Sequence, residues 1–383
     1  MSFIIDIATV VPEYPVSKAE VLDFYNHALQ TGNMPDIQKK LHFILEKTQI
    51  EGRFSCIPDF NSQTKELYTD NNYQPSVEKR MSVYKNKIVP LACQSIYKIL
   101  SRNKIEPAEI THLITVSCTG MFAPGLEFLV ADQMGLQHTE KLALNFLGCY
   151  AAIKALKHAN YIAEANPKAC ILIVSAELCS LHFIPSIADE DLVANLLFSD
   201  GAAATIVCGN ENPHIQNKIV LNIDTTGSAS IPHTTDLMTW DISSSAFRMF
   251  LSKYLVQAIK ENIHRVISSF ATKNISHTDY WAIHPGGVRI LEGVKESLQL
   301  LELHIEDSRE VLKQYGNMSS PTILFILSRI FQKIRHGDYT LDKNIVVCGF
   351  GPGVTVEMMQ LQSVKYIAPH SSKQKVTAHA VQV

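Results

Sequence analysis

Short β-branched apolar runs alternate along most of the chain with longer stretches in which apolar residues recur at helical intervals. The apolar start of MSFIIDIATVVPEYPVS, interrupted by Asp6, reads as a first strand. Ser17-Lys18-Ala19-Glu20 then has capping-box spacing, and Val21, Leu22, Tyr25 and Leu29 continue with helical period, so a helix follows. KNKIVPLACQSIYKIL, residues 85–100, predicts a second helix, with Pro90 most easily placed in its first turn. HLITVS at 112–117 reads as a buried strand, and ACILIV at 169–174 and AAATIV at 202–207 carry the alternation onward. Strand–helix alternation of this kind predicts a layered α/β fold with mainly parallel strands.

The pattern also repeats. EPAEITHLITVS at 106–117 resembles NISHTDYWAIH at 274–284, and ACILIVSAE at 169–177 resembles NIVVCGFG at 344–351. Between the members of each pair lie LNFLGCYAA and KQYGNMSSP, each a glycine plus a functional side chain at an expected helix start. Ser117 and His284 stand as far apart in sequence as Cys149 and Asn317, to within one residue. The chain therefore reads as two copies of one α/β unit, residues 1–210 and 211–383, the second ending in a polar tail from about 366. If the copies pack about a pseudo-twofold axis, equivalent helix starts and strand ends face one another, and Cys149, His284 and Asn317 converge.

Composition narrows the function classes. Hydrophobic residues make up 46% and charged residues 19%, which describes a folded chain with a large core. A formal net charge of −3 without any Lys/Arg block offers no case for nucleic acid or an anionic membrane. No apolar run approaches the ~20 residues that span a bilayer. The first residues carry no basic region before their apolar run, so a signal peptide is not expected and the cytosol is. Eight cysteines, at 56, 93, 118, 149, 170, 179, 208 and 348, form no CxxC pair, which argues against a zinc ribbon or a disulfide scaffold. Most should be reduced and buried.

Cys149, in LALNFLGCYAAIKALKHA, is the exception worth following. A free cysteine at a strand-to-helix corner commonly just fills space. At a helix N-terminus, however, the dipole and free backbone N–H groups favour the thiolate, and Gly148, Ala151 and Ala152 leave room for a substrate. His284 ends an expected strand before Pro285-Gly286-Gly287, at the carboxyl edge where α/β folds place ligand sites. A nearby histidine could form a thiolate–imidazolium pair, although a lone histidine is more often a satisfied loop residue. Asn317, in YGNMSSP, could equally be a helix N-cap. GFGPGVTVE at 349–357 reads as a rigid turn of close backbone approach, shaping a cavity wall. It matches neither a dinucleotide fingerprint nor a P-loop.

Taken together, GFGPG before VTVE, HPGG after WAI, YGNMSS before an apolar helix, and LFSDGAAATIV at 197–207 resemble the chalcone synthase family, the type III polyketide synthases, in order from about Ile4 to Met358. The resemblance implies a five-layered αβαβα thiolase-like fold. It also implies a triad in which Cys149 accepts the starter acyl group from CoA, while His284 and Asn317 stabilise the enolate formed as malonyl-CoA loses CO2. Repeated condensation and cyclisation would follow, giving a pyrone or a resorcinol- or phloroglucinol-type product, without metal or cofactor beyond the CoA thioesters.

By the same resemblance Phe198 is an aromatic gatekeeper, and Met249 stands where the family has a second one, widening the pocket. Cys118, Thr119 and Cys179 line a starter pocket, and His182 replaces a small polar residue. Gly351, Pro352 and Ser319 belong to the cavity wall. Cys118 points to an aliphatic starter and an alkylpyrone or alkylresorcinol. Ala123 lies on a loop that reaches into a partner subunit, implying a homodimer. Lys40 and Lys47 align with cations that bind CoA phosphates, but Phe43 stands where an arginine is usual, which leaves an acyl carrier protein donor open. The rivals are a single-round ketoacyl synthase III-like or hydroxymethylglutaryl-CoA synthase-like enzyme, and a non-catalytic homologue that binds acyl thioesters.

Overall fold

The computed structural model describes residues 1–31, 34–61, 64–69, 72–270 and 278–367. In chain order it forms β1 (Ser2–Val10), β2 (Tyr14–Ser17), α1 (Lys18–Ala28), α2 (Pro35–Thr48), β3 (Gly52–Ser55), α3 (Val77–Asn103), β4 (His112–Ser117), α4 (Leu126–Met134), β5 (Glu140–Asn145), α5 (Ala151–Ala165), β6 (Cys170–Leu178), α6 (Asp189–Leu197) and β7 (Asp200–Gly209). There follow β8 (Ile219–Ser230), β9 (Met238–Ile242), β10 (Phe247–Leu251), α7 (Leu255–Phe270), β11 (Tyr280–Ile283), α8 (Val288–Ser297), α9 (Glu302–Tyr315), α10 (Pro321–His336), β12 (Asn344–Gly351) and β13 (Thr355–Lys365).

Among the described residues the strands of the main sheet run β11-β12-β13-β8-β1-β7-β6-β4-β5. Ser2 to Ile4 of β1, paired with Leu221 to Ile223 of β8, join what are otherwise two half-sheets. In one half β4 and β6 are parallel and β7 antiparallel to β6; in the other β11 and β12 are parallel and β13 antiparallel to β12. The order of elements thus repeats, with β4, α5, β6 and β7 answering to β11, α10, β12 and β13. Residues 271–277, which hold the lead-in of the second repeat, lie outside the described residues, as does the tail beyond 367. Tyr366, at the start of that tail, is docked through its hydroxyl on the Asn210 carbonyl at 3.0 Å.

The expectation of mainly parallel strands is corrected. Antiparallel pairings join β1 to β7 and β8, β6 to β7, β12 to β13, and β13 to β8. The physical reason is connection length: β12 turns into β13 through the short Pro352–Val354 segment, and only an antiparallel neighbour can be reached that quickly.

Three apolar clusters build the layers. Helices α5 and α10 lie back to back between the half-sheets, so Ala151 to Ile153 and Ile323 to Leu327 are sealed from solvent on every side. Small side chains on α5 allow this close approach, while α10 supplies the bulk with Ile323, Leu324, Ile326 and Leu327. A second cluster packs α1, α3 and α4 on the outside of the first half-sheet, and a third packs α7 and α8 on the outside of the other. Helix, sheet, helix, sheet, helix is the five-layered arrangement.

Local signals held at α1, where Ser17 caps the helix and the Glu20 carboxylate accepts from the Ser17 N–H at 2.7 Å. They failed at α3, which starts at the Ser76 cap, so that Pro90 sits mid-helix rather than in the first turn. An internal proline costs roughly 3 kcal/mol. The buried stripe of Tyr84, Ile88, Leu91, Ala92, Ile96 and Ile99 offsets it, each large apolar side chain contributing about 1.5–3 kcal/mol.

The central layer has no room to spare. Ala155→Leu should overpack it and destabilise the protein by about 1–3 kcal/mol, seen as a lowered Tm; an unchanged Tm would contradict the sealed packing.

Candidate active site

Cys149 lies in the turn from β5 to α5, two residues before the first helical residue, Ala151. Phe146 and Gly148 both have positive φ there, +62° and +79°. A Cβ on Gly148 would come within 2.5 Å of Pro352 Cδ, and one on Gly351 would strike the Tyr150 ring. The GFGPG segment therefore clamps the Cys149 turn from behind. Gly351 and Pro352, expected in the substrate cavity wall, are absent from the lining of the cleft; they pack instead against Tyr150 and Gly148, behind the turn.

Asn317 reaches the same place from the other repeat. Its N–H donates to the Leu197 carbonyl at 3.0 Å and its carbonyl accepts from Ser199 N–H at 2.9 Å, which fixes it beside Phe198. Its Oδ1 accepts from the Ser319 N–H at 2.8 Å, the local cap that the sequence allowed. The polar side chains of Asn317 and Ser319 act on Cys149, both pulling its thiol pKa downward. Ser319 is held at φ +59°, a strained conformation for a residue with a Cβ.

His284 follows β11, its N–H bonded to the Cys348 carbonyl at 2.8 Å, one residue before the clamping turn. It is fully buried, and both ring nitrogens lack a hydrogen-bond partner. An unsatisfied buried polar group costs about 1–3 kcal/mol, a cost tolerated where a ligand supplies the partner.

The electrostatics differ from the expected thiolate. Burial pushes the Cys149 thiol up to about 11, outweighing the hydrogen bonds from Ser319 and Asn317 that pull it down. Burial likewise pushes the His284 imidazole down to about 3. A charged form of either group alone is disfavoured in so dry a place, so at neutral pH the free site holds a thiol and a neutral imidazole.

A cleft partly open to solvent includes Gly148 and Ser319 in its wall. Phe198, Met249, Cys118, Thr119 and Cys179 line it as well. His182 lines it too, but as a rigid neutral strut. Its Nε2–H donates to the Thr119 carbonyl at 2.7 Å, its Nδ1 accepts from Phe247 N–H at 3.1 Å, and its ring stacks on Phe247 with centroids 4.6 Å apart. Burial lowers its pKa to about 3.

Ala123 is exposed and away from the cleft of its own chain. Lys40 and Lys47 lie on α2 outside it. Lys40 is ion-paired with Asp189 and donates to the Ile187 carbonyl at 3.1 Å; Lys47 lies over the exposed Phe43 ring at 5.5 Å. Among the described residues no group of three or more His, Cys, Asp or Glu is placed to hold a metal ion, and no helix is long and apolar enough to cross a membrane.

Glu177 went unread in the sequence. Fully buried at the end of β6, it accepts from Cys118 N–H at 2.8 Å, Thr119 N–H at 3.1 Å, Thr119 Oγ1 at 2.7 Å and Ser320 Oγ at 2.6 Å. The available signal was a carboxylate closing the apolar run ACILIVSAE, since such a group is buried only when paired.

Comparison with known proteins identifies the family. Residues 1–211 match the model of the N-terminal domain of chalcone and stilbene synthases, and residues 222–365 match that of the C-terminal domain. The chain belongs to the chalcone and stilbene synthase family. These are the type III polyketide synthases, acyltransferase-type condensing enzymes. A probable polyketide synthase 1 of Dictyostelium discoideum is 28% identical over 380 residues, 95% of this chain, which spans only 11% of that protein's length. The crystal structure of PKS-I from the brown alga Ectocarpus siliculosus superposes with a TM-score of 0.87 at 28% identity, covering 95% of this chain and 98% of that one. The C-terminal type III polyketide synthase domain of Steely1, a type I/III hybrid from Dictyostelium, gives 0.85 at 25% identity over 95% and 99%.

Because burial holds Cys149 protonated, iodoacetamide inactivation of the free protein should keep accelerating with pH from about pH 6 upward, following the rising thiolate fraction. A rate already level below pH 7 would show a preformed ion pair instead.

Proposed function

We propose that the protein loads an acyl group from CoA onto Cys149 and extends it by repeated decarboxylative condensation with malonyl-CoA before cyclisation. The observation that carries this reading is the fully buried His284, whose two ring nitrogens have no partner, in a chain where the side chains of Asn317 and Ser319 pull the Cys149 thiol pKa down against burial.

In the loading step the Cys149 proton passes to His284 as sulfur attacks the starter thioester, and CoA leaves as the thiol. Both charges arise together only during this transfer, so their mutual attraction offsets the desolvation that each would suffer alone. In extension, malonyl-CoA loses CO2, and the enolate oxygen is received by the His284 and Asn317 N–H donors. One such donor is worth about 3–4 kcal/mol. The enolate carbon then attacks the Cys149 thioester, forming the new C–C bond and expelling the Cys149 thiolate, which regains a proton from solvent or reacts with the extended CoA thioester to reload the chain for the next cycle. CoA thioesters alone supply these steps, with no metal or further cofactor.

In this reading the first half, residues 1–210, carries the nucleophile, and the second carries His284 and Asn317. Phe198 gates the cleft. The flexible Met249 side chain and the largely apolar wall favour an aliphatic starter and an alkylpyrone or alkylresorcinol. Lys40 and Lys47 would meet CoA phosphates or a carrier-protein donor, Lys40 after release from Asp189. The exposed Met121 and Phe128 flanking the Ala123 loop support a homodimer in the cytosol.

Mass spectrometry of products from malonyl-CoA and a panel of acetyl, medium-chain, long-chain and aromatic acyl-CoAs should show at least two malonyl units per starter. A single extension would turn the reading to a ketoacyl synthase III-like enzyme. Cys149→Ala should form no acyl-enzyme, and Asn317→Ala should slow malonyl decarboxylation by about 10²–10³-fold while sparing loading. Equal losses in both steps would remove the enolate role from Asn317.

A further inference from the structure

The cleft lining holds a second chemical feature that the condensation does not use. Beside the apolar Val16, Val21, Phe60 and Phe183 it includes Arg53 and Tyr25. Arg53 stands on β3, its stem close beside the Gly316 turn that leads to Asn317. It is 6% exposed and Tyr25 is 1% exposed, yet the Arg53 Nη2 and the Tyr25 hydroxyl have no hydrogen-bond partner.

The other deeply buried arginine shows what a structural role looks like here. Arg80 donates from Nε to the carbonyls of Pro75 and Ser245 and from Nη1 to the Leu181 carbonyl and the Tyr68 hydroxyl, four bonds in all. Arg53 makes no side-chain hydrogen bond or ion pair among the described residues. The carboxylate in the same lining, Asp191, is already taken by Arg248 through two bonds of 3.0 and 2.9 Å. Burial lowers the Arg53 pKa only to about 10, so the group is cationic at neutral pH.

A buried cation without a counter-ion costs several kcal/mol unless something pairs it. We propose that Arg53 and Tyr25 form a carboxylate-binding site in the wall of the cleft, selecting acyl chains that end in a carboxylate. Two acceptor oxygens and one negative charge satisfy both groups at once, and the apolar walls fit the methylene chain between that carboxylate and the thioester. This inference rests on the acyl-transfer reading of the cleft. A carboxylate could also come from the extender, malonyl-CoA, and the test separates the two sources.

Binding should be measured in Cys149→Ala protein, where no turnover intervenes. Adipyl-CoA and sebacyl-CoA are each compared by calorimetry with the fatty acyl-CoA of the same carbon count. The diacid is expected to bind more tightly, and Arg53→Met should cut the diacid-to-monoacid ratio about tenfold or more. Tyr25→Phe, which keeps the ring packing, should cut it severalfold even if Arg53→Met does not fold. Tighter binding of the monoacid, or a ratio that Tyr25→Phe leaves unmoved, overturns the proposal. So does an Arg53→Met protein that binds both starters as before but loses malonyl-CoA, since the carboxylate held would then be the extender's. Diacid preference with no product from malonyl-CoA would leave this site standing and remove the polyketide reading; extended products from monoacids alone would do the reverse.

Discussion

The active site depends on one buried carboxylate. Glu177 accepts from the backbone of Cys118 and Thr119 beyond β4 and from the Ser320 hydroxyl at the start of α10, so it ties both repeats together at the level of the nucleophile. Burial raises its pKa, and the ring of donors opposes that shift by stabilising the charged form. Removing any one partner would leave a charge in a dry core, where water cannot compensate. Cys118 extends the tie, its sulfur accepting from the Gly148 N–H at 3.0 Å, directly beside Cys149.

Around that anchor the protein keeps its reacting groups neutral and its backbone strained. Gly148 at positive φ is pinned by Pro352, and Ser319 at positive φ is pinned by the Asn317 side chain. The geometry is set before substrate arrives, so the donors need not reorganise when charge develops. The cost is carried by the two sheets and the α5–α10 layer, whose burial is large enough to hold a few unsatisfied polar atoms.

Much of this was legible in the residues. Capping spacing located α1, β-branched runs located β4 and β6, and the faint internal repeat placed Cys149 and Asn317 in equivalent turns. What failed did so for nameable reasons. Pro90 was assigned by local preference, and tertiary burial overrode it. Strand direction was read from alternation, which cannot see that Pro352–Val354 is too short for a crossover. The thiolate was inferred from a helix start that lies two residues further on, with desolvation left out.

The sequence by itself determined much of the order of elements and the motifs of the family, because those follow from local periodicity and residue chemistry; Cys149, His284 and Asn317 were singled out as the reacting groups only through the resemblance those motifs carry. Only the tertiary structure decided which polar groups are engaged and which are free. Asn317 Oδ1 accepts from the Ser319 N–H; Arg80 makes four hydrogen bonds while Arg53 Nη2 makes none; Lys40 is paired and Lys47 exposed. Partnering and burial are sums over contacts far apart in the chain, and no single stretch of sequence contains them.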